Sequence, residues 1–328
     1  MKYIKSPFNE VKHLSFYLAT EEYLAIHFPD DEYFFMWQVN PTVIFGRNQL
    51  IENEVNLGYV KQNNIEFYRR KSGGGCVYAD FSNIMFSFIT TTFNKDFVFD
   101  KYLSKIVDSL NQLGLKAHFS GRNDILIGEL KVSGNAFYRV GNKSVVHGTM
   151  LYDTDISVMV KAITPNNEKL ISKGIDSVRK RVTNLKEHFD LDIETFKSKM
   201  IELLCDEEII LSSEDVLGIE QIEKSYLDPD FIYGKNPNYS LVKKGRLKAG
   251  TVELSIELKN NIVKKMDIKG DFFLVGDTDQ FLNYFKNKEF SRLVFEQVLK
   301  SFDVQDYVYN LSKNELLDLL FEWRMLVI

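Results

Sequence analysis

Apolar side chains recur at helical spacing in two segments of the chain. In residues 12–27 these positions are Leu14, Tyr17, Leu18, Tyr23, Leu24 and Ile26. In residues 99–113 they are Tyr102, Leu103, Ile106, Val107, Leu110 and Leu113. Apolar positions three and four residues apart are typical of a helix with one buried face. We therefore predict two helices, the first stopped before Pro29 and the second ended by Gly114.

Aromatic and β-branched residues dominate three other stretches, which we interpret as strands. Residues 33–45 read as two short strands around an Asn-Pro turn, and residues 115–151 read as a run of strands with turns at 128–129 and 141–142. Residues 252–258 alternate strictly, and a turn at 260–261 leads to a partner strand around 266–268. Helices and strands in separate runs favour an α+β fold.

A cluster of turn-forming residues near the last third of the chain predicts a linker. Gly234, Asn236, Pro237 and Asn238 stand there, just before a basic run at 243–248. The length of 328 residues corresponds to two domains at about 150 residues each. We therefore divide the chain into domains at 1–241 and 248–328, the second with a small sheet covered by two or three helices between residues 280 and 321.

The composition is that of a folded protein, since 45% hydrophobic and 27% charged residues exclude a disordered or low-complexity chain. Lys and Arg number 41 against 46 Asp and Glu, a net charge of −5, which argues against nucleic acid as a partner. Two cysteines without metal-ligand spacing favour a reducing compartment. Because no stretch has the pattern of a signal peptide or a membrane span, we expect a cytoplasmic protein with no membrane partner.

The densest chemical signal is a run of three glycines, Gly73 to Gly75, after the cations Arg69, Arg70 and Lys71. Glycines let backbone N–H groups approach an anion closely, so the segment is a candidate cradle for a phosphate or a carboxylate. A hairpin bulge with a solvated basic flank explains the segment equally well. It has neither the Gly-Lys-Ser/Thr of a Walker A loop nor the GxGxxG spacing of dinucleotide folds.

Further along the chain, single polar residues offer candidate chemistry. Lys131 stands beside the small residues 133–135 and could face an acyl phosphate, although a lone strand lysine is usually solvated. Asp124 could hold Mg²⁺, but one carboxylate is weak evidence for a metal. His147 fits a ligand contact or a structural role. Cys76 is the one candidate nucleophile, and a buried inert thiol is the commoner outcome for such a residue.

These motifs, in this order, resemble those of the lipoate-protein ligases over most of residues 9–185. The pattern RR-x-SGGG-x-VY-x-D stands at residues 69–80, GRND at 121–124, K-x-SG-x-A at 131–136, HGT-x-L at 147–151, and a later family segment at 173–185. The resemblance implies a large mixed-sheet catalytic domain of the biotin/lipoate ligase type, followed by a small α+β C-terminal accessory domain.

The resemblance also implies an activity. Lipoate and Mg-ATP would give lipoyl-AMP, and a lysine of a lipoyl domain, in a 2-oxoacid dehydrogenase E2 subunit or the glycine cleavage H protein, would then take the acyl group. Lys131 would be catalytic, neutralising charge on the α-phosphate and the acyl oxygen, and Asp124 would bind Mg²⁺. The residues implied to bind lipoate or nucleotide are Arg70, Ser72, Gly73, Gly74, Gly75, Cys76, Val77, Tyr78, Asn123, Ser133, Ala136, His147, Gly148 and Thr149.

One position departs from the family pattern, because Ala79 stands where the family usually has His. This departure leaves the preference between lipoate and octanoate open. Two other functions use the same residues: an acyltransferase that moves octanoyl or lipoyl groups without ATP, and a non-catalytic lipoate-binding module. The C-terminal domain favours the ligase over the transferase, and Lys131 favours it over the binding module.

Overall fold

The computed structural model describes residues 1–49, 51–91, 95–120, 123–163, 181–233, 241–259 and 262–321. The first half of the GRND motif, the family segment at 173–180, the linker cluster at 234–238 and the turn at 260–261 lie outside these ranges. The chain separates into two units. The first comprises Met1–Phe45, Ile51–Arg70 and Cys76–Ile232, and the second comprises Gly46–Leu50, Lys71–Gly75 and Tyr233–Ile328.

Strands and helices up to residue 233 are named here in chain order. The strands are β1 (Lys2–Lys5), β2 (Tyr33–Trp37), β3 (Thr42–Phe45), β4 (Glu66–Arg69), β5 (Val77–Ala79), β6 (Asn83–Thr90), β7 (Ala117–Phe119), β8 (Asp124–Ile127), β9 (Leu130–Val140), β10 (Lys143–Leu151) and β11 (Glu207–Ile210). The helices are α1 (Leu14–His27), α2 (Ile51–Glu54), α3 (Leu57–Gln62), α4 (Lys95–Gln112), α5 (Ile156–Ile163), α6 (Ile193–Leu204), α7 (Ser213–Leu227) and α8 (Pro229–Tyr233).

An eight-stranded mixed sheet organises the first unit, in the order β11-β1-β2-β6-β10-β9-β8-β7. Strand β1 runs parallel to both of its neighbours, and the other neighbouring pairs are antiparallel. One face packs on α1 and α7 through side chains such as Tyr138 and Val145, and the other face packs on α4 and α6 through Phe137 and Val146. Because both faces are covered, all eight residues of β6 are buried.

The two predicted helices are confirmed as α1 and α4, and Gly114 follows α4 with a left-handed φ of +92°. Both predicted hairpin turns are also confirmed, since Gly128 and Gly141 adopt φ values of +58° and +57° between β8, β9 and β10. Left-handed backbone is the conformation that glycine adopts without steric cost.

The two strands predicted within residues 33–45 are confirmed, but they enter different sheets. Strand β2 lies in the eight-stranded sheet, whereas β3 is the centre of a separate three-stranded sheet in the order β4-β3-β5. Strand β3 pairs in parallel with β4 and antiparallel with β5. The two strands that flank the glycine run, β4 before it and β5 after it, are thereby tied to one common partner.

The second unit contains a three-stranded antiparallel sheet, β12 (Leu241–Leu247), β13 (Gly250–Lys259) and β14 (Ile262–Gly270). The predicted helices are present as α9 (Thr278–Asn283), α10 (Arg292–Val298) and α11 (Lys313–Phe321). Their apolar side chains, many of them aromatic, form a single core with the inner side chains of β13 and β14. No helix within the described ranges combines the length and the apolarity needed to cross a bilayer. The domain division at residues 241 and 248 stays a prediction.

Candidate functional site

The ammonium of Lys131 is held on the sheet by Asp124. The distance from Nζ to Oδ1 is 2.8 Å, and the two side chains are 37% and 30% exposed, so the pair is open to solvent on one side. A Cβ built on Gly134 would lie only 2.7 Å from Nζ and 3.8 Å from Oδ1. The ion pair therefore lies directly over this glycine.

The backbone of Lys131 is fixed from a second direction. Its N–H donates to the carbonyl of Arg181 at 2.8 Å, and its carbonyl accepts from the N–H of Thr183 at 3.0 Å. A parallel bridge thus joins Lys131 to Val182, a residue of the later family segment. The motif lysine is the point at which β8, β9 and this segment meet.

The register of β9 and β10 separates the predicted binding residues into two groups. Gly134 pairs with Thr149 and Ala136 pairs with His147, so these four residues share the face that carries Lys131. Ser133 pairs with Met150 on the opposite face and is fully buried. The structure thus brings Ala136, His147 and Thr149 together with Lys131, and places the Ser133 side chain on the other side of the sheet.

Asn123 and Gly148 both contact Asn135 within the sheet. The side-chain amide of Asn123 donates to the carbonyl of Asn135 at 3.0 Å, and Asn135 donates back to the carbonyl of Asn123. A Cβ on Gly148 would lie 2.0 Å from Oδ1 of Asn135. These contacts connect β8, β9 and β10 on the face of the sheet opposite Lys131.

A buried polar cluster that sequence reasoning missed surrounds Glu21 of α1. Both of its carboxylate oxygens lie 2.9 Å from Nδ1 of His147, and it accepts hydrogen bonds from Tyr138 and Ser87. Glu21 is completely buried, and burial raises the pKa of Tyr138 well above its usual value. Trp37 donates from Nε1 to Ser87 at 3.1 Å. The available signal was the pair of carboxylates, Glu21 and Glu22, within the mostly apolar helix α1.

The cation that precedes the glycine run is buried. Arg70 is 5% exposed, donates from Nη1 to the carbonyl of Ile44 at 3.1 Å, and has a pKa lowered by burial to about 10. It therefore stays charged at neutral pH. A buried guanidinium is suited to bind a carboxylate or a phosphate.

The glycine loop itself belongs to the second unit and packs tightly there. The carbonyl of Ser72 accepts from the N–H of Arg47 at 2.9 Å, and Gly74, with φ +90°, donates to the carbonyl of Phe272 at 3.0 Å. A Cβ on Gly73 would lie 2.2 Å from that same carbonyl oxygen, whereas a Cβ on Gly75 would meet nothing within 4 Å. Close backbone approach therefore explains Gly73, and backbone conformation explains Gly74.

Cys76 is partly buried just before β5, and within β5 Val77 is partly buried while Tyr78 and Ala79 are buried. Burial raises the pKa of the Cys76 thiol far above its usual value, and Arg70 opposes this only in part. Tyr78 and Ala79 are buried in different apolar clusters, on the two faces of β5. A thiol with a raised pKa carries little thiolate at neutral pH, so Cys76 is a poor nucleophile.

The carboxylate of Asp124 is the predicted ligand for Mg²⁺. No group of three or more His, Cys, Asp or Glu residues that could hold a metal occurs among the described residues. Oδ1 of Asp124 is buried and paired with the Lys131 ammonium at 2.8 Å. One such carboxylate fits a Mg²⁺ ion that brings its other ligands from phosphates and water, as this ion commonly does.

The α+β fold and the order of the motif residues match one class of protein, the lipoyl protein ligases. The family model "Lipoyl protein ligase A/B catalytic domain" matches residues 13–204, and "Bacterial lipoate protein ligase C-terminus" matches residues 236–320. The chain belongs to the lipoyl protein ligase A/B family.

Individual comparisons agree with this assignment. The chain is 36% identical over 316 residues to the lipoate-protein ligase LplJ of Bacillus subtilis, covering 93% of this chain and 96% of the relative. It is similar in fold to LipL1 of P. falciparum in complex with lipoate, with a TM-score of 0.78, 22% identity and 97% of each chain covered. A lipoate-protein ligase A bound with ATP superimposes with a TM-score of 0.62 and 23% identity, over 71% of this chain and 98% of that one.

Proposed function

We propose that this protein is an ATP-dependent lipoate-protein ligase that makes lipoyl-AMP and transfers the lipoyl group to a lysine of a lipoyl domain. The observation that carries the proposal is the ammonium of Lys131, fixed over Gly134 beside a carboxylate. The B. subtilis relative is named a lipoate-protein ligase, and the two similar structures contain lipoate and ATP. These relatives support both substrates.

In the first half-reaction, a carboxylate oxygen of lipoate attacks the α-phosphorus of ATP, and the bond to the pyrophosphate breaks. Negative charge develops on the phosphate oxygens in such a transfer, so a fixed cation lowers the barrier. We assign this role to Lys131 and the holding of the lipoate carboxylate to Arg70. Mg²⁺, held by Asp124 and by the phosphates, would supply further positive charge.

In the second half-reaction, the neutral amine of the acceptor lysine attacks the acyl carbon, AMP leaves with its electron pair, the proton lost by the nitrogen passes to the AMP phosphate or to water, and an amide forms. A lysine amine in water has a pKa of about 10.4, so it must lose a proton before attack. Lys131 can neutralise the oxyanion that forms at the acyl oxygen. The raised pKa of the Cys76 thiol favours direct transfer over a thioester on the enzyme. The acceptors we propose are the lipoyl domains of 2-oxoacid dehydrogenase E2 subunits and the glycine cleavage H protein.

The proposal is tested by intact-mass analysis of a purified apo lipoyl domain incubated with this protein, lipoate and Mg-ATP. We expect modification only in the presence of ATP, much slower modification with Lys131→Ala, and modification with Cys76→Ser. Modification without ATP from an acyl-carrier donor, lost in Cys76→Ser, would replace the ligase by the ATP-independent transferase. Lipoate binding without adenylate or product would identify a non-catalytic binding module.

A further inference from the structure

Strand β9 carries one extra residue opposite β8, next to the motif lysine. Ser133 pairs with Ile125, but the next β8 residue, Leu126, pairs with Lys131, so Val132 has no partner across the ladder. Side chains three residues apart in a regular strand point to opposite faces of the sheet. The insertion of Val132 changes this parity and puts Lys131 on the same face as Gly134. Bulges commonly re-aim side chains in this way.

The ammonium group of Lys131 lies directly above Gly134. Nζ and Cε of Lys131 would be 2.7 Å and 2.9 Å from a Cβ at residue 134. Asp124, which pairs directly with Gly134 across the ladder, brings its carboxylate to the same place. A side chain of any kind at residue 134 would therefore take the space of the ammonium.

We propose that Gly134 is a positioning residue for catalysis, because the absence of a side chain at this residue leaves the space that the Lys131 ammonium occupies. The inference rests on the proposed function of Lys131 and deepens it. Non-bonded heavy atoms prefer separations of about 3.5 Å or more, so a methyl group at residue 134 displaces Nζ by roughly 1 Å. A displacement of that size at a reacting centre costs about 10²-fold in rate.

The backbone at residue 134 accepts alanine. The φ of Gly134 does not lie in the left-handed region, so the backbone conformation does not require a glycine there. The effect of Gly134→Ala should therefore act through Lys131. The matched control is Gly58→Ala in α3, where an added Cβ meets its nearest neighbour, Oδ1 of Asn56, at an ordinary 3.6 Å.

The test is a double-mutant cycle on the full chain with Gly134→Ala, Lys131→Ala and the double variant. Single-turnover formation of lipoyl-AMP is measured, and each rate is divided by the number of lipoate-binding sites found by calorimetry, so that unfolded protein is not counted as lost catalysis. We expect Gly134→Ala to lower the rate about 10²-fold with lipoate affinity changed less than twofold. Gly134→Ala should have no further effect in the Lys131→Ala background, and Gly58→Ala should keep the parental rate.

Three results overturn the inference while leaving the proposed function intact. The first is a parental rate for Gly134→Ala when Lys131→Ala is impaired, and the second is a loss from Gly134→Ala that multiplies onto the loss from Lys131→Ala. A lowered lipoate affinity with an unchanged rate per site would also overturn it, since Gly134 would then shape the binding site instead of the lysine. A parental rate for Lys131→Ala would refute the proposed role of the lysine and this inference together.

Discussion

Replacing Glu21 by alanine should cause a large loss of stability in the first unit. The change removes a fully buried carboxylate and leaves His147, Tyr138 and Ser87 without the acceptor they share. A buried polar group that loses its hydrogen-bond acceptor costs about 1–3 kcal/mol, and three such groups lose the same acceptor, so the loss should be about 3 kcal/mol or more. Glu21→Gln keeps the shape and one of the two acceptor oxygens, so the loss should be smaller, at about 1–2 kcal/mol.

Urea unfolding followed by tryptophan fluorescence measures this loss. Trp37 reports on the cluster directly, since it donates to Ser87, and a Trp323→Phe background makes it the single tryptophan of the chain. Glu220→Ala, at an exposed position of α7, is the control and should stay within about 0.5 kcal/mol of the parent. The reasoning is refuted if Glu21→Ala also stays within that range, or if Glu21→Ala and Glu21→Gln lose the same free energy.

Three further predictions concern single groups. Burial raises the pKa of Glu32, but hydrogen bonds from two lysines and a tyrosine of α4 outweigh it and lower the pKa to about 2. This carboxylate stabilises the fold above its unfolded pKa of about 4.3, and the stabilisation is lost as the pH falls toward 2. The difference in urea midpoint between the parent and Glu32→Gln should therefore shrink from pH 6 to pH 2. A constant difference would contradict this. Because burial raises the pKa of the Cys76 thiol, it should react with iodoacetamide at pH 8 at least tenfold more slowly than free cysteine. The labelling rate is measured by mass spectrometry, and a rate equal to that of free cysteine would show an accessible thiolate. Gly73→Ala should lower the urea midpoint of the second unit and Gly75→Ala should not, because only Gly73→Ala places a Cβ 2.2 Å from the carbonyl oxygen of Phe272. Equal midpoints for the two variants would contradict this explanation of the glycine run.

Local patterns along the chain were sufficient for much of the fold. The helices at 14–27 and 95–112, the glycine turns at 128 and 141, and the β13–β14 hairpin of the second unit all follow from spacing and turn chemistry, whereas residues 243–247 of the basic run read as a linker lie in strand β12. These elements are recognisable because their period or their φ requirement acts within a few residues. The separation of β2 and β3 into two sheets could not be read in this way, since pairing partners lie far along the chain.

The sequence by itself determined the order of motifs, and with it the family and the candidates Lys131 and Asp124. Tertiary structure alone decided where their side chains lie. The bulge at Val132 turns Lys131 onto the face of Gly134, although side chains three residues apart in a regular strand point to opposite faces. Glu21 meets His147 across 126 positions of sequence, because α1 packs on the sheet at β10. Both arrangements arise from register and packing between distant segments, and neither a local period nor a motif encodes those contacts.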